Sequence, residues 1–254
     1  SVDWAARAPV SGADTGQCLR FAMQGRVHPL KYLNGLAAAV QRRGGRLYGD
    51  TTATAVEEDE RGVRVATTVG HEVTANAAVV ATYAPINDRL AVLSKQAPYR
   101  TYVIAGPVRA GSVADALYWD THDPYHYVRL QPNGGHDLLI VGGEDHRTGE
   151  HDDGTQRFQA LESWARRLFP ELGEVTHRWS GQVQEPVDYC GFIGLKPGNE
   201  RTYLATGDSG QGITTGVVAS LLLAALIVDA RSPWQELYDP ARKPLGAAAE
   251  FMRE

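Results

Sequence analysis

Thr206-Gly207-Asp208-Ser209-Gly210-Gln211-Gly212-Ile213-Thr214-Thr215-Gly216 stands between a strand-like apolar run, Tyr203-Leu204-Ala205, and a long apolar run, Val217 to Val228. Strand, glycine-rich turn and helix in that order present free backbone N–H groups to an anionic or electron-rich ligand. The segment therefore sets both the fold class and the place to look for a site.

Three readings of this turn are open. In the first, Asp208, Ser209 or Thr214 is a plain helix N-cap, although Gly207, Gly210 and Gly212 are more glycine than a cap needs. In the second, Gly210-x-Gly212-x-x-x-Gly216 is a near miss to the dinucleotide fingerprint GxGxxG. That motif requires a further strand, and Asp229-Ala230-Arg231-Ser232-Pro233-Trp234 does not read as one. In the third, the helix N-terminus points at the electron-rich edge of a ring cofactor. Its partial positive charge and unpaired donors would stabilise negative charge developing on a flavin pyrimidine ring, by the physics of an oxyanion hole.

Composition narrows the field. The 254 residues are 43% hydrophobic and 22% charged, as in ordinary globular domains, and suffice for one large domain or two interleaved ones. With 25 basic and 30 acidic residues the net charge is −5, which argues against nucleic acid or an anionic membrane as a partner. Val217 to Val228 is too short to span a bilayer. Ser1-Val2-Asp3-Trp4 has neither the basic nor the apolar region of a signal peptide, and the chain does not start with Met, so a processed or excised chain is expected. Cys18 and Cys190 form no CxxC pair; two free thiols in a reducing, cytoplasmic setting are expected.

Periodicity supplies the element order. Residues 1–27 read as irregular. His28-Pro29 opens a helix with Leu30, Leu33, Leu36, Ala37 and Val40 on one face, ended by Gly44-Gly45. Strands are expected at 46–48 and 51–56, followed by an acidic turn at 57–60, then a hairpin at 63–67 and 71–74, and a fully apolar strand at 77–81. Residues 99–105, 125–130 and 137–142 read as a mainly antiparallel sheet, 155–169 as an amphipathic helix, and 176–183, 190–195 and 202–206 as strands. The first group, at 28–84, is thus interrupted by an inserted sheet and resumes near 200.

Thr206-Gly207-Asp208-Ser209-Gly210-Gln211-Gly212 before an apolar helix resembles the C-terminal flavin-contacting segment of D-amino-acid-oxidase-like FAD-dependent oxidoreductases of the glycine and sarcosine oxidase type. His28-Pro29-Leu30-Lys31-Tyr32-Leu33-Asn34-Gly35-Leu36, Val79-Val80-Ala81-Thr82 and Gln182-x-x-Glu185-Pro186-Val187-Asp188-x-x-Gly191-Phe192-Ile193-Gly194 resemble further segments of that family in the same order. Trp119-Asp120, Pro124 to Leu130, Gly142 to His146 and Arg178 to Gln182 resemble a bacterial subgroup often fused to a Rieske iron–sulfur domain.

The resemblance implies a mixed α+β and α/β fold: an incomplete, Rossmann-like FAD-binding domain with an inserted, mainly antiparallel substrate-binding sheet flanked by helices. It places the partial FAD-binding domain at 28–84 and 196–232, the substrate-binding domain at 1–27 and 85–195, and a tail at 233–254. FAD would meet Val56, Ala81, Thr82, Gly207, Asp208, Ser209, Gly210, Gln211, Gly212, Ile213 and Thr214. The substrate, an amine or amino-acid-like small molecule, would meet Tyr125, Tyr127 and Arg129, which alternate onto one face of a strand. An arginine there clamps a carboxylate bidentately; the alternative is a surface arginine beside two sheet-packing tyrosines. His126 falls on the opposite face.

The departures are as informative. The family opens on a strand–GxGxxG–helix that holds the FAD pyrophosphate, and these residues contain no GxGxxG. They contain no Cys-x-His pair either, so any Rieske 2Fe-2S centre would belong to a longer parent. The chain is therefore expected to be a fragment that binds FAD weakly or not at all alone, with a patch of exposed apolar surface on helices 28–43 and 217–228 available for self-association. A non-catalytic binding or assembly module that keeps the scaffold is the second functional reading. Glu144-Asp145-His146 with His151-Asp152-Asp153 fits no standard zinc spacing, and a solvated acidic loop with no metal is expected there. Gly207-x-Ser209-x-x-Gly212 departs from the G-x-S-x-G nucleophile elbow, and no catalytic side chain is assigned.

Overall fold

The computed structural model describes residues 1–84, 86 and 92–243. The first residues expected for the inserted sheet, 85 and 87–91, and the end of the expected tail, 244–254, lie outside the described residues. The fold is mixed α+β with mainly antiparallel sheets and few helices. The chain forms two compact units. One comprises 1–26 and 99–182, the other 27–98 and 183–254.

In the first unit, β1 (Val2–Ala5) and β2 (Cys18–Phe21) pair antiparallel, with Trp4 opposite Leu19. Irregular chain was expected over 1–27; the Gly, Pro and Ser that break the pattern lie in the connection between these two short strands. A five-stranded sheet has the order β11-β7-β10-β9-β8, from β7 (Gln96–Arg109), β8 (Tyr118–Trp119), β9 (His126–Pro132), β10 (His136–Arg147) and β11 (His177–Pro186). The chain passes between the units within β7 and β11.

Helix α2 (Gly154–Leu168) covers one face of this sheet. Its Leu161 and Ala165 are fully buried among Tyr102, Ile104, Val128, Leu130, Leu139 and Val141, with Phe158, Trp164 and Leu168 at the rim. Burying a leucine of this kind contributes about 1.5–3 kcal/mol, so the helical spacing of these apolar residues is enough to fix which side of α2 meets the sheet.

In the second unit, α1 (Pro29–Arg42) is capped by His28, whose Nδ1 accepts from the Lys31 N–H at 3.4 Å, and it ends where the Gly45 N–H bonds the Val40 carbonyl. None of its residues is buried. Leu30, Leu33, Leu36 and Val40 are 44–67% exposed, so the expected apolar patch is present on this helix. Arg46-Leu47-Tyr48, expected as a strand, is irregular with Leu47 and Tyr48 exposed.

A three-stranded antiparallel sheet follows, with the order β3-β4-β5 from β3 (Ala53–Asp59), β4 (Gly62–Thr67) and β5 (Glu72–Ala75). The acidic run expected as a turn is instead the end of β3. Glu57 pairs Arg64 and Glu58 pairs Val63, because the turn proper begins only at Glu60-Arg61. A second three-stranded sheet has β13 (Thr202–Thr206) between β12 (Phe192–Leu195) and β6 (Ala78–Val80), antiparallel to the first and parallel to the second. Helix α3 (Gly212–Ile227) packs Ala219, Leu222 and Leu223 onto Ile193, and α4 (Gln235–Tyr238) follows. Helix α3 starts five residues before the expected Val217, since the Thr215 N–H already bonds the Gln211 carbonyl.

Candidate functional site

The parallel pair β6 and β13 ends on one edge of its sheet. Val80 runs into Ala81, Thr82 and Tyr83, and Thr206 runs into the glycine turn. Carboxyl ends of adjacent parallel strands are where open α/β sheets receive ligands. The Thr206 hydroxyl donates to the Tyr83 carbonyl, and the Gln96 amide donates to Thr206 Oγ1 at 3.3 Å, so both strand ends are tied beneath the turn.

The turn needs its glycines. Gly207 has φ of +73°, and a Cβ there would lie 2.8 Å from Pro186 Cγ and 3.0 Å from Gln96 Oε1. Gly210 has φ of +72°, and a Cβ there would meet only Val183 Cγ1, at an ordinary 3.8 Å. Ser209 between them takes φ of +49° and is held there by its N–H to the Gln184 carbonyl at 3.1 Å and its hydroxyl to Glu185 Oε1 at 2.6 Å. A non-glycine residue in this region is strained by about 1–2 kcal/mol, which those bonds offset. Burial pushes the Asp208 carboxyl above its usual range, against an opposing bond from the Gly210 N–H.

Beyond the turn, α3 begins without a side-chain cap, and Gly210, Gln211, Gly212, Ile213 and Thr214 are all exposed. Of the three readings of this segment, the plain N-cap finds no support, because neither Asp208 nor Thr214 caps the helix. Gln96 is 5% exposed, and its Oε1 finds no hydrogen-bond partner among the described residues. An uncapped helix start, a glycine cradle and an orphaned buried carbonyl fit the polar edge of a ring cofactor such as a flavin.

Val56 lies elsewhere in the same unit. It is half-buried on β3 and packs against the cluster of Val80, Val92, Phe192 and Leu204. Its neighbour Glu58 accepts from the Glu200 and Arg201 N–H groups, Asn199 Nδ2 and the Thr202 hydroxyl. Burial raises the Glu58 pKa, but these four donors outweigh it and bring it to about 2.

The first unit holds the residues expected at the substrate. On β9, His126, Val128 and Leu130 face the α2 side and are buried, while Tyr127 and Arg129 face the other way, half-buried. Tyr125 precedes the strand, its ring 6.1 Å from that of Tyr127. The Tyr127 ring lies over Gly142, where any Cβ would stand about 2.1 Å from it. Its hydroxyl is 3.2 Å from Thr101 Oγ1. Arg129 Nη2 donates to Gln131 Oε1 at 3.0 Å, and burial lowers its pKa, with Arg26 adding to the effect.

Of the acidic loop the sequence suggests, 151–153 are irregular, but Glu144, Asp145 and His146 are not loop. They belong to β10, whose register breaks between Gly143 and His146, with Glu144 at φ of +58°. The bulge brings Glu144 Oε1 to 3.2 Å from His126 Nε2 on the α2 side, and burial raises the pKa of Asp145 beside it. Asp120 Oδ2 meets His126 Nδ1 at 2.8 Å. Gln96 and Thr101 carry no site signal in the sequence, and the contacts of Asp120 and Glu144 with His126 are not legible there; only the Gly142-Gly143 pair signals an irregular strand. Among the described residues, no three His, Cys, Asp or Glu side chains are grouped to hold a metal ion.

The parallel strand ends, the uncapped helix and the inserted antiparallel sheet define the class, a flavin-dependent oxidoreductase fold. Residues 2–226 match the family model "FAD dependent oxidoreductase" (DAO), and the chain belongs to that family. Over 221 residues it is 26% identical to the "Putative Rieske 2Fe-2S iron-sulfur protein YhfW" of Bacillus subtilis (strain 168), covering 86% of this chain and 43% of that protein. Over 213 residues it is 27% identical to gamma-glutamylputrescine oxidoreductase of Escherichia coli (strain K12), covering 80% of this chain and 48% of that protein. The chain thus spans less than half the length of these curated relatives. Glycine oxidase from Geobacillus kaustophilus superposes with a TM-score of 0.78 at 20% identity, covering 96% of this chain and 67% of that one. NikD, an amino acid oxidase of nikkomycin biosynthesis, superposes with a TM-score of 0.77 at 18% identity, covering 94% and 68%.

Proposed function

We propose that this chain forms part of an enzyme that oxidises an amine or amino-acid-like small molecule with FAD. The observation that carries the reading is the shared end of β6 and β13, where Ala81, Thr82 and the turn 207–210 lie beside the uncapped start of α3. In this reading the N–H groups of Gly212, Ile213 and Thr214 hold the electron-rich edge of the flavin. Gly207 to Gln211 give it room, and Val56 serves its adenine end. FAD, when bound, supplies the acceptor for a hydride from the carbon beside the substrate nitrogen. Tyr125, Tyr127 and Arg129 orient that substrate, Arg129 by pairing a carboxylate.

These residues lack the GxGxxG that grips a pyrophosphate, and that supports weak FAD binding by the 254 residues alone. The same lack favours a second reading, a non-catalytic scaffold module. The YhfW relative supports a Rieske 2Fe-2S centre elsewhere in the protein, since no Cys-x-His pair occurs here. No helix among the described residues is long and apolar enough to cross a membrane. The exposed leucines of α1 offer a surface for self-association.

The test is anaerobic bleaching of flavin absorbance in protein made from the complete reading frame. A panel of amino acids, N-methyl amino acids and polyamines is added in turn. The oxidase reading expects at least one to bleach the flavin, and Arg129→Met to weaken the response to carboxylate-bearing members by about tenfold or more. Flavin that binds and is never bleached favours the scaffold module.

A further inference from the structure

His126 opens β9 and is 5% exposed, yet both of its ring nitrogens meet an acceptor. Nδ1 lies 2.8 Å from Asp120 Oδ2, and Nε2 lies 3.2 Å from Glu144 Oε1. The ring stacks on Trp164 of α2, and His122 stands edge-on to it with centroids 6.3 Å apart. His122 Nε2 is also 3.8 Å from Asp120 Oδ2. From α2, Arg157 donates to the Glu144 carbonyl at 3.0 Å. On β10, Asp145 and His146 follow Glu144, and His146 Nε2 is turned to Tyr102 Oη at 3.0 Å.

Hydrogen-bond counting sets what this ring carries. A carboxylate oxygen only accepts, and a neutral imidazole has one N–H and one lone pair. A neutral ring would turn its lone pair on one of the two carboxylates, in a buried place. Two protons, one on each nitrogen, satisfy both contacts. The indole under the ring favours the same state, because a cation over tryptophan is attracted by its electron-rich face. The two contacts are unequal. Asp120 is tied twice more, its Oδ1 accepting the His126 backbone N–H at 2.7 Å and its own N–H bonding the His126 carbonyl at 3.1 Å. The Glu144 carboxylate bonds only the ring among the described residues, and its backbone is held at φ of +58°. Loss of one proton therefore empties Nε2 and frees Glu144.

We propose that doubly protonated His126 is a latch that holds the β10 bulge against the start of β9, and that the latch opens when the ring loses its second proton. The bulge is closely fitted there. Gly143 pairs with His126 across the ladder, and a Cβ on Gly143 would lie 2.6 Å from the Tyr125 carbonyl oxygen and 2.9 Å from His126 Cδ2. Residues 144 and 145 have no partner in the ladder to β7, so opening moves them while the strand on either side stays paired. Asp120, His126 and Glu144 are positioning residues. Tyr125 and Tyr127 flank His126 in sequence, so the latch fixes the strand end that carries them. That consequence rests on the reading of these tyrosines as the substrate face; the latch itself does not.

The test is NMR of the chain carrying 15N-labelled histidine, with the His126 ring identified by its contacts to the Trp164 indole. The expected result is a proton on both ring nitrogens at neutral pH, with Nε2 alone losing its proton in the alkaline range. Exchange protection of the Glu144 and Asp145 amides should fall about tenfold or more across the same step. In Glu144→Gln the side-chain amide can donate to a bare Nε2, so the ring should be neutral at neutral pH and the protection should no longer change with pH. A bare ring nitrogen in the unaltered chain at neutral pH overturns the proposal, and that reading needs no variant to fold. So does a step in Glu144→Gln equal to that of the unaltered chain, or a change in protection that follows His122, His146 or no histidine. No flavin or substrate enters the experiment. A positive result here with no bleaching above keeps the latch and removes only its bearing on the substrate.

Discussion

His126 lies flat against Trp164, their ring centroids 4.2 Å apart and their planes inclined by 14°. Each imidazole nitrogen also faces a carboxylate oxygen, Asp120 on one side and Glu144 on the other. The ring thus ties the segment before β9 and the bulge of β10 to helix α2. His126→Ala removes the stack and leaves two carboxylates facing a cavity. It should destabilise the first unit by about 2–4 kcal/mol. His126→Phe, which keeps the stack, should recover part of that. Urea unfolding followed by tryptophan fluorescence, with a cycle through Trp164→Ala, measures both, and a coupling near zero would remove the stack from the account.

Glu58 predicts an acid dependence. Its pKa is about 2 when folded against an ordinary 4.5. A depressed folded value contributes stability above the unfolded pKa and loses it as pH falls from about 4.5 towards 2. Glu58→Gln should lower the stability of the second unit at neutral pH and flatten its dependence between about pH 4.5 and 2. Urea midpoints of the two proteins across that range decide it; parallel curves would be contrary.

The two glycines of the turn should differ. Gly207→Ala brings both left-handed strain and collisions with Pro186 and Gln96, whereas Gly210→Ala meets only Val183 Cγ1 at an ordinary 3.8 Å. The expected costs are about 3 kcal/mol or more for Gly207→Ala and about 1 kcal/mol for Gly210→Ala. Thermal unfolding of the two variants compares them directly. Equal losses would mean that backbone strain alone, and not close approach, requires glycine at 207.

Arg242 pins the end of the described chain. It makes two bonds to Asp188, at 2.9 and 3.0 Å, donates to the Cys190 and Gly191 carbonyls, and sits 3.9 Å over the Phe192 ring. Desolvation raises the Asp188 pKa, but its bonds to Arg242 prevail and lower it. Arg242→Ala leaves Asp188 without its partner and should cost about 3 kcal/mol, and Arg242→Lys should recover less than half, because lysine cannot fork to both oxygens. Denaturant titration of the pair tests this ranking.

Much of this was legible in the sequence, and what was not has a common cause. The order of strands and the glycine turn at 206–212 follow from period and punctuation, which are local. Glu58 read as part of an acidic turn because its four donors lie about 140 residues away at 199–202. Asp145 read as loop because a bulge is set by the partner strands β7 and β9, not by its own residues. Gln96 carried no signal at all; only the folded contact with Thr206 brings it beneath the turn. Helix α3 was placed late because glycine at 212 and 216 resembles a turn until the helix is seen to run through both.

The central claim is that the turn at 206–212 and the start of α3 form the ring-facing part of a flavin site. The most direct measurement is an FAD titration, by flavin absorbance and fluorescence quenching, of protein expressed from its complete reading frame, with Gly207→Ala and Gly210→Ala beside it. The account predicts bound FAD in the parent protein, binding weakened more by Gly207→Ala than by Gly210→Ala, and much weaker binding by the 254-residue chain alone. A folded parent protein that purifies without flavin and takes up none at saturating FAD would contradict it.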